Sequence, residues 1–506
     1  MLYKVFRPIA GVALRWYYRS VSVAGRSKVP LTGPVFFAVN HPNALVDALV
    51  VATVMPRRVG FTAKSTIFAN PVLSAFLHAV GVVPLKRAAD LVNAAAEKAA
   101  AEGNNHNGAT SDIAGATKAA TGSVSDTRSL NVAGPANNRL QSDIAPLRPG
   151  APAIDPARNA QSFRAVGAAM ANGKAIVVFP EGISHDAPHL APLRTGLARM
   201  ALLAQGSMGV HGIQIIPVGL LFERKEEPRS RVLVQIGEPI EVDSFATSTH
   251  SVETLTALIG ERLMAVTLNF ETPEDAARIE AISETMAALL EPVTTLDSGG
   301  PPLSSVLAMS RRAERVRWRL AGDASTEFRQ AVAEFEARLE TFRTRLRAEH
   351  IAVADLLIDV GATPGARFAV RETLLAAVLT PIAWWGRVTH FIPLRIARWL
   401  AVRNSHNRDE PAMNTIVIGL GLVLASYSVQ TAIVWALVGA KWSILFFATL
   451  IPSASNDLRY GDRVERRTQR MRTYLRFRAQ PALREELLAE ADWLRQRAGA
   501  IETMLH

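Results

Sequence analysis

A histidine and an aspartate stand in an otherwise almost wholly apolar stretch near the start of the sequence. The stretch reads NHPNALVDALV from Asn40 to Val50, and five residues separate His41 from Asp47. A carboxylate can orient an imidazole that takes a proton from a hydroxyl group, and it then stabilises the resulting imidazolium. We therefore interpret His41 as a candidate general base and Asp47 as its orienting partner, although such isolated pairs also occur by chance.

Two further stretches place polar or cationic residues directly beside apolar runs, and a third, wholly apolar one follows later. They read GVVPLKR (81–87), FPEGISH (179–185) and IIPVGL (215–220). A proline–glycine turn after a buried strand lets main-chain amides approach a ligand, while Lys86, Arg87 and Arg194 could hold a phosphate. Each stretch alone is more often a structural turn than a site. Their order and spacing are what indicate a site.

The elements that must position these residues follow an α/β pattern between Val29 and about Val242. Apolar runs predict strands over 34–40, 58–64, 174–180, 213–220 and 231–237. NALVDALVVATV and PLRTGLARMALLAQ are predicted helices. His41 would then lie at the carboxyl end of a strand, where open α/β sheets bind ligands, with Asp47 in the first turns of the following helix.

The segment 88–159 interrupts this pattern. It is rich in alanine, glycine, asparagine and serine and almost lacks aromatic residues. Such a composition buries too little apolar surface to offset its ordering entropy, so we predict a disordered insertion.

Composition limits the classes of partner. The chain of 506 residues is long enough for two or more domains, and 56 Lys+Arg against 45 Asp+Glu give a net charge of +11. This charge favours polyanions, anionic lipid heads or phosphorylated small molecules as partners, and a mean hydropathy of +0.14 favours a membrane among them. We therefore expect membrane lipid and no nucleic acid as a partner. The absence of cysteine excludes disulfides, thiolate catalysis and cysteine-liganded zinc, and fits a reducing cytosolic environment.

Two regions have the patterns of membrane contact. The first residues form a basic amphipathic pattern that predicts a helix lying on anionic lipid, or else packed on its own domain. Residues 413–438 carry no formal charge and are long enough to cross a bilayer core, and WSILFFATLIPSAS follows after a short turn. We predict a membrane hairpin here, with a buried soluble helix pair as the alternative, and an interfacial or re-entrant piece at 373–386.

Basic residues flank the predicted hairpin on both sides, which places both flanks on the cytoplasmic face by the positive-inside rule. The resulting organisation has five segments. They are a membrane-docking helix (1–28), an α/β domain containing the insertion (29–250), helical hairpins (251–370), a membrane-associated hairpin region (371–460) and a helical tail (461–506).

The four ordered stretches resemble the four motifs of the glycerolipid acyltransferases of the PlsC-like superfamily. NHPNALVD is similar to the first motif, GVVPLKR to the second, FPEGIS to the third and IIPVG to the fourth. The commoner superfamily pattern has four residues between the histidine and the aspartate. The gap of five, together with FPEGISHDAPHLAPLRTGLARMAL, resembles the branch that acylates glycerol-3-phosphate and dihydroxyacetone phosphate.

The resemblance implies a fold and a reaction. The fold is an acyltransferase α/β sandwich with a mixed central sheet and an α-helical, membrane-associated C-terminal region. His41 would take the proton from the hydroxyl of a glycerol phosphate as that oxygen attacks the thioester of acyl-CoA or acyl carrier protein. Asp47 would orient the ring. No cofactor is implied, and the expected location is the cytoplasmic face of a membrane, as in a bacterial inner membrane.

The resemblance also assigns a substrate subsite. Arg87, Glu181 and Gly182 are expected to line the phosphate and hydroxyl subsite of the acceptor, and Ser184 is expected to cap the turn. Glu181 would bond the acceptor hydroxyl or hold a cation. Lys86 lies next to Arg87, and Arg194 stands where this branch has a basic residue.

Several alternatives stay open. Phe61, Ile67 and Phe68 could floor an acyl channel or simply pack in the core. His185, Asp186 and His189 could suggest a metal site, but a third firm ligand is lacking. We therefore favour a hydrogen-bonded loop and assign no metal. The acceptor could instead be lysophosphatidic acid or another lysophospholipid, and the chain could be a non-catalytic lipid-binding scaffold.

Overall fold

The computed structural model describes residues 2–64, 74, 82–85, 156–245, 250–291, 300–403 and 411–505. The chain divides into two compact units, the first made of Met1–Thr62, Ala79–Val82 and Val166–His506, the second of Ala63–His78 and Val83–Ala165. Four positions singled out in the sequence, and the predicted insertion up to residue 155, lie outside the described residues. The four are Ile67, Phe68, Lys86 and Arg87.

The described strands are β1 (Ser20–Ala24), β2 (Val35–Val39), β3 (Val59–Lys64), β4 (Val82–Leu85), β5 (Ala175–Val178), β6 (Gln214–Phe222), β7 (Arg231–Ile236) and β8 (Ile240–Glu241). In the first unit the sheet has the order β1-β7-β6-β2-β5-β3, and β8 pairs with the start of β6. β6 runs antiparallel to β7 and β8, while the other pairings in this order are parallel. The expected α/β fold with a mixed central sheet is confirmed.

Strands β2 and β5 form the centre of the sheet. Their sequences, VFFAV and AIVV, are apolar at every position and buried throughout. Continuous apolar runs are typical of parallel strands covered on both faces, which explains why the sequence pattern located them. Strand β1 was not predicted, because its short SVSVA sequence follows directly on an amphipathic helix.

Four helices alternate with these strands along the chain: α1 (Leu2–Tyr17), α2 (Ala44–Val54), α3 (Pro156–Ala171) and α4 (Gly196–Gly206). Helix α1 packs on α2, where the Tyr3 hydroxyl donates to the Ala52 carbonyl at 3.2 Å and Arg7 donates to the carbonyls of Thr53 and Met55. Its opposite face leaves Val5 and Ile9 exposed. The predicted amphipathic helix therefore packs on its own domain and still presents an apolar edge.

The rest of the described chain is helical. Its long helices are α5 (Ser251–Met264), α6 (Pro273–Leu290), α7 (Leu303–Ala321), α8 (Thr326–Ala348), α9 (Ala362–Arg403), α10 (Pro411–Val438), α11 (Ala440–Ala479) and α12 (Pro481–Met504). Helices α6, α8 and α12 share a core with the end of α11, in which Phe342, Phe477 and Leu487 are almost fully buried. The apolar faces of these charged helices are therefore paired with one another.

Helices α9, α10 and α11 pack along one another. The chain reverses between α10 and α11 at Gly439, whose φ of +88° suits a residue without a side chain. Gly386 in α9 lies against the Ser453 carbonyl, so close that an added Cβ would be 2.2 Å from that oxygen. Residues 373–386 lie inside the continuous helix α9.

Helix α10 is the one helix in the described part of the chain whose length and composition would allow it to cross a membrane, over Ala412–Val438. Its surface is largely open, with Trp435 63% and Leu437 77% exposed. On α9 and α11, Trp384, Trp399 and Trp442 are exposed as well. The three helices thus present an extended apolar surface to their surroundings.

Candidate active site

The loop that follows β2 is tied to the strand beside it by Asn40. The Asn40 side chain donates to the Leu220 carbonyl at 3.1 Å and accepts from the Leu220 amide at 2.7 Å. Because this pair of hydrogen bonds satisfies the amide side chain on both sides, Asn40 fixes where the chain leaves the sheet. The first and fourth sequence stretches therefore meet at the carboxyl end of β2.

His41 and Asp47 are brought together as the spacing predicts. His41 Nδ1 lies 2.9 Å from Asp47 Oδ2, and the Asn43 amide donates to the same oxygen at 2.8 Å. The loop bends between the two residues so that the first turn of α2 returns the carboxylate to the ring. With Nδ1 held by a carboxylate, Nε2 is the ring nitrogen left to exchange a proton with a substrate.

Asp47 is fully buried. Burial raises the pKa of its carboxyl, and the hydrogen bonds from His41 and Asn43 oppose that rise. Its second oxygen, Oδ1, is buried without a hydrogen-bond partner in the described structure. The carboxylate therefore contacts only the imidazole and the Asn43 amide among the described residues. Because it is buried away from water, its attraction to an imidazolium is stronger than in water.

Phe179 supports the other side of the imidazole. Its ring stacks on that of His41, with 4.0 Å between centroids and 14° between planes. Phe179 immediately follows β5, the parallel neighbour of β2, so adjacent strand ends supply both rings. Stacking and the Asp47 contact together fix the plane of the ring.

Glu181 is buried, with 2% of its surface exposed. Its Oε1 accepts from the main-chain amide of His41 at 2.8 Å, while Oε2 accepts from the Ala191 amide at 2.8 Å and contacts His185 Nε2. Both oxygens are therefore engaged by protein donors. In this structure Glu181 joins the loop of His41, its own turn and the segment of Ala191, a role that the sequence did not indicate. Its contact with the acceptor hydroxyl or a cation stays a prediction.

The turn after Glu181 depends on a glycine. Gly182 has a φ of +76°, and an added Cβ would lie 3.4 Å from Arg194 Cγ. Arg194 is held over this turn because its amide donates to the Pro180 carbonyl at 2.7 Å. Ser184 Oγ accepts from the Ala44 amide at 3.0 Å, so it satisfies a free donor at the start of α2.

Lys225 is a site residue that the sequence did not reveal. It lies on the connection between β6 and β7, and its Nζ donates to the Pro42 carbonyl at 3.0 Å and contacts the Asp186 carboxylate. The surrounding sequence, FERKEEPRSR, is charged almost throughout. Nothing in that pattern distinguishes Lys225 from its neighbours.

Two of the three residues considered for a metal site take part in contacts within the loops. His185 contacts Glu181 through Nε2 and accepts from the Ala187 amide through Nδ1 at 3.2 Å, and Asp186 pairs with Lys225. His189 is exposed. Across the ranges that the structure describes, no group of three or more potential metal ligands is found.

Comparison with known proteins relates this arrangement to a family. Residues 20–114 and 144–221 match the family model described as Acyltransferase. The chain is 26% identical over 276 residues to an uncharacterized acyltransferase of Schizosaccharomyces pombe, covering 46% of this chain and 38% of that protein. It is 27% identical over 330 residues to glycerol-3-phosphate O-acyltransferase 1 of Saccharomyces cerevisiae, covering 58% of this chain and 42% of that protein.

A solved structure is also similar, the 1-acyl-sn-glycerophosphate acyltransferase PlsC from Thermotoga maritima. The TM-score is 0.32 at 14% identity, covering 51% of this chain and 77% of that one. The chain spans about two fifths of the length of the two curated relatives described above. The family model covers the part of the chain that carries the four ordered motifs, and this part is similar to acyltransferases, among them a yeast glycerol-3-phosphate O-acyltransferase.

Proposed function

We propose that this protein transfers a fatty acyl group from acyl-CoA or acyl carrier protein to the hydroxyl of glycerol-3-phosphate or dihydroxyacetone phosphate, in phospholipid synthesis. The observation that carries the proposal is the His41–Asp47 pair at the carboxyl end of β2, in which Nδ1 is held and Nε2 is left for substrate. The resemblance to a yeast glycerol-3-phosphate O-acyltransferase supports the choice of acceptor.

His41 acts as the general base in this reaction. Its Nε2 takes the proton of the acceptor hydroxyl while that oxygen attacks the thioester carbonyl, and the buried Asp47 carboxylate stabilises the imidazolium that forms. The tetrahedral intermediate then collapses, the ester forms, and the thiolate leaves and takes up the proton from His41. A positioned base typically contributes about 10²- to 10⁴-fold in rate.

The remaining sequence-predicted residues bind or shape the acceptor subsite. Lys86, Arg87 and Arg194 supply cations for the phosphate, a role that suits guanidinium groups because they bond phosphate oxygens in pairs. The Gly182 turn opens the main chain towards the ligand, and Ser184 holds that turn to α2. Glu181 contributes by fixing the His41 loop through the amide contact at 2.8 Å.

The protein carries out this reaction at the cytoplasmic face of a membrane. The exposed apolar surface of α9, α10 and α11 supports membrane insertion, because a surface of that extent is unfavourable in water. Arg395 and Arg403 precede the hairpin, and Arg459 and Arg467 follow it, in the positions of cytoplasmic flanks. The native chain lacks cysteine, so the single substitutions Ala440→Cys and Arg459→Cys would report which side each position occupies.

An acceptor panel tests the proposed reaction. The full chain in detergent–lipid micelles is assayed with palmitoyl-CoA or palmitoyl carrier protein against glycerol-3-phosphate, dihydroxyacetone phosphate and lysophosphatidic acid. We expect the first two acceptors to be used. Activity with lysophosphatidic acid alone would contradict the acceptor assignment, and no transfer to any acceptor, with lipid binding retained, would favour a scaffold.

A further inference from the structure

Residues 223–230, here called the β6–β7 connection, cross from the sheet to the loop that carries His41. Lys225 Nζ donates to the Pro42 carbonyl at 3.0 Å and pairs with the Asp186 carboxylate. Pro42 follows His41 directly, and Asp186 follows His185, the partner of Glu181. One ammonium group therefore joins the first motif loop to the loop after the third motif.

The main chain of Lys225 strengthens this join. Asn43 is fully buried, and its Nδ2 donates to the Tyr18 hydroxyl at 3.1 Å and reaches the Lys225 carbonyl at 3.5 Å. The Asn43 amide in turn donates to Asp47. Lys225 is thus linked to the two residues that directly follow His41. Its ammonium group contacts Pro42, and its main-chain carbonyl contacts Asn43.

The far side of the β6–β7 connection is anchored on the C-terminal helices. Arg398 in α9 and the Tyr17 hydroxyl both donate to the Glu226 carbonyl, at 3.2 and 3.0 Å. Arg229, whose φ of +66° bends the chain, pairs with the Asp462 carboxylate in α11. These contacts hold the main chain of the β6–β7 connection in place, so the Lys225 side chain can hold the His41 loop.

We propose that Lys225 is a positioning residue of the active site, which fixes the His41 loop through the Pro42 carbonyl and places a permanent positive charge beside the His41–Asp47 pair. This inference rests on the proposed function and adds to it a residue outside the four motifs. The side chain is shielded, with 19% of its surface exposed, so its charge acts across a partly dehydrated site.

The charge of Lys225 acts on the carboxylate of the His41–Asp47 pair. Lys225 is one of the groups that lower the pKa of Asp47 against the larger effect of burial. Replacing Lys225 by methionine removes both this charge and the hydrogen bond to the Pro42 carbonyl. The other titratable groups around this loop are Asp47, Glu181, His185 and Asp186.

The test compares Lys225→Met with Lys225→Arg, and uses Arg224→Met as the matched control. Arg224 is the adjacent cation, 62% exposed, and pairs with Glu227 on the surface. For each variant we measure kcat and KM for glycerol-3-phosphate. Independently of turnover, we measure by mass spectrometry the rate of diethyl pyrocarbonate modification of His41 at a fixed pH, with His41→Gln as the blank.

Lys225→Met is expected to lower kcat about tenfold or more with little change in KM, and to raise the rate of His41 modification about threefold or more, because the loop is no longer held. Lys225→Arg should restore most of both quantities because it keeps a cationic donor, and Arg224→Met should leave both unchanged. An unchanged modification rate in Lys225→Met, or an equal change in Arg224→Met, would overturn the proposal. If the wild type transfers no acyl group while the modification rate still changes, the proposed function fails and the placement of Lys225 stands.

Discussion

The main-chain amide of His41 donates to Oε1 of Glu181 at 2.8 Å, a contact that helps to join the first motif of the chain to the third. The carboxylate is buried and also accepts from the Ala191 amide. A charged acceptor that binds two main-chain donors from separate loop segments is costly to lose, since each orphaned buried group costs about 1–3 kcal/mol. The geometry of the proposed base therefore depends on a residue that need not touch the substrate.

Replacing Glu181 by glutamine tests that dependence. The amide keeps one acceptor oxygen but puts an NH₂ group against a main-chain donor, so we expect the thermal midpoint to fall and kcat to drop by at least tenfold. Ser184→Ala is the milder comparison, because it removes one hydrogen bond at the start of α2. Wild-type kcat and stability in Glu181→Gln would show that the carboxylate is not needed to hold the loop.

Asp47→Asn separates orientation of the base from the fold. Asparagine has nearly the same shape and can still accept from Asn43, but it cannot stabilise an imidazolium with a full charge. We expect kcat to fall about 10²- to 10⁴-fold with little change in KM. Asp243→Asn serves as the control, because Asp243 bonds Gln205 and the Gly212 amide elsewhere in the domain. Comparable losses of kcat in the two variants would contradict a specific role for Asp47.

Sequence patterns located the central strands and the His41–Asp47 pair because each is formed by residues that are close together in the sequence. A continuous apolar run marks β2, and the five-residue gap allows the first turn of α2 to return to the histidine. Lys225 and the task of Glu181 were not found, because each depends on residues distant in the chain. Such contacts arise only when parallel strands bring their carboxyl ends to one edge.

The close contact between α9 and α11 gives a second structural prediction. Gly386→Ala places a Cβ 2.2 Å from the Ser453 carbonyl, so the helices must separate. We expect a lower thermal midpoint of the full chain in detergent. Gly421→Ala in α10 is the matched control, because its Cβ meets no atom within 4 Å, and alanine favours a helix over glycine by about 1 kcal/mol. Equal effects in the two variants would argue against tight α9–α11 packing.

Asp355 predicts a pH dependence of stability. Burial raises the pKa of its carboxyl from 3.8 to about 6, with Arg470 opposing the rise. The folded protein therefore holds this proton more tightly than the unfolded chain, so stability increases as pH falls from about 6 towards 4 and is lower at neutral pH. Asp355→Asn removes the buried charge and should raise the thermal midpoint at pH 7.5.

The gain from Asp355→Asn should be smaller at pH 4.5, where the wild-type carboxyl is already protonated in the folded state. Its size at pH 7.5 is of the order of 1–3 kcal/mol. Asp323→Asn, an exposed aspartate in the turn between α7 and α8, is the comparison and should change little at either pH. A gain that is the same at both pH values would contradict the assigned pKa shift.

The central claim is that His41 is the base of an acyl transfer to a glycerol phosphate. The most direct measurement is the initial rate of radiolabelled glycerol-3-phosphate acylation from palmitoyl-CoA by wild type, His41→Ala and His189→Ala, all checked for equal thermal midpoints. His189 is an exposed histidine and serves as the control. We predict that His41→Ala loses at least 10²-fold in rate while His189→Ala keeps the wild-type rate. Acylation by a folded His41→Ala at the wild-type rate would contradict the account.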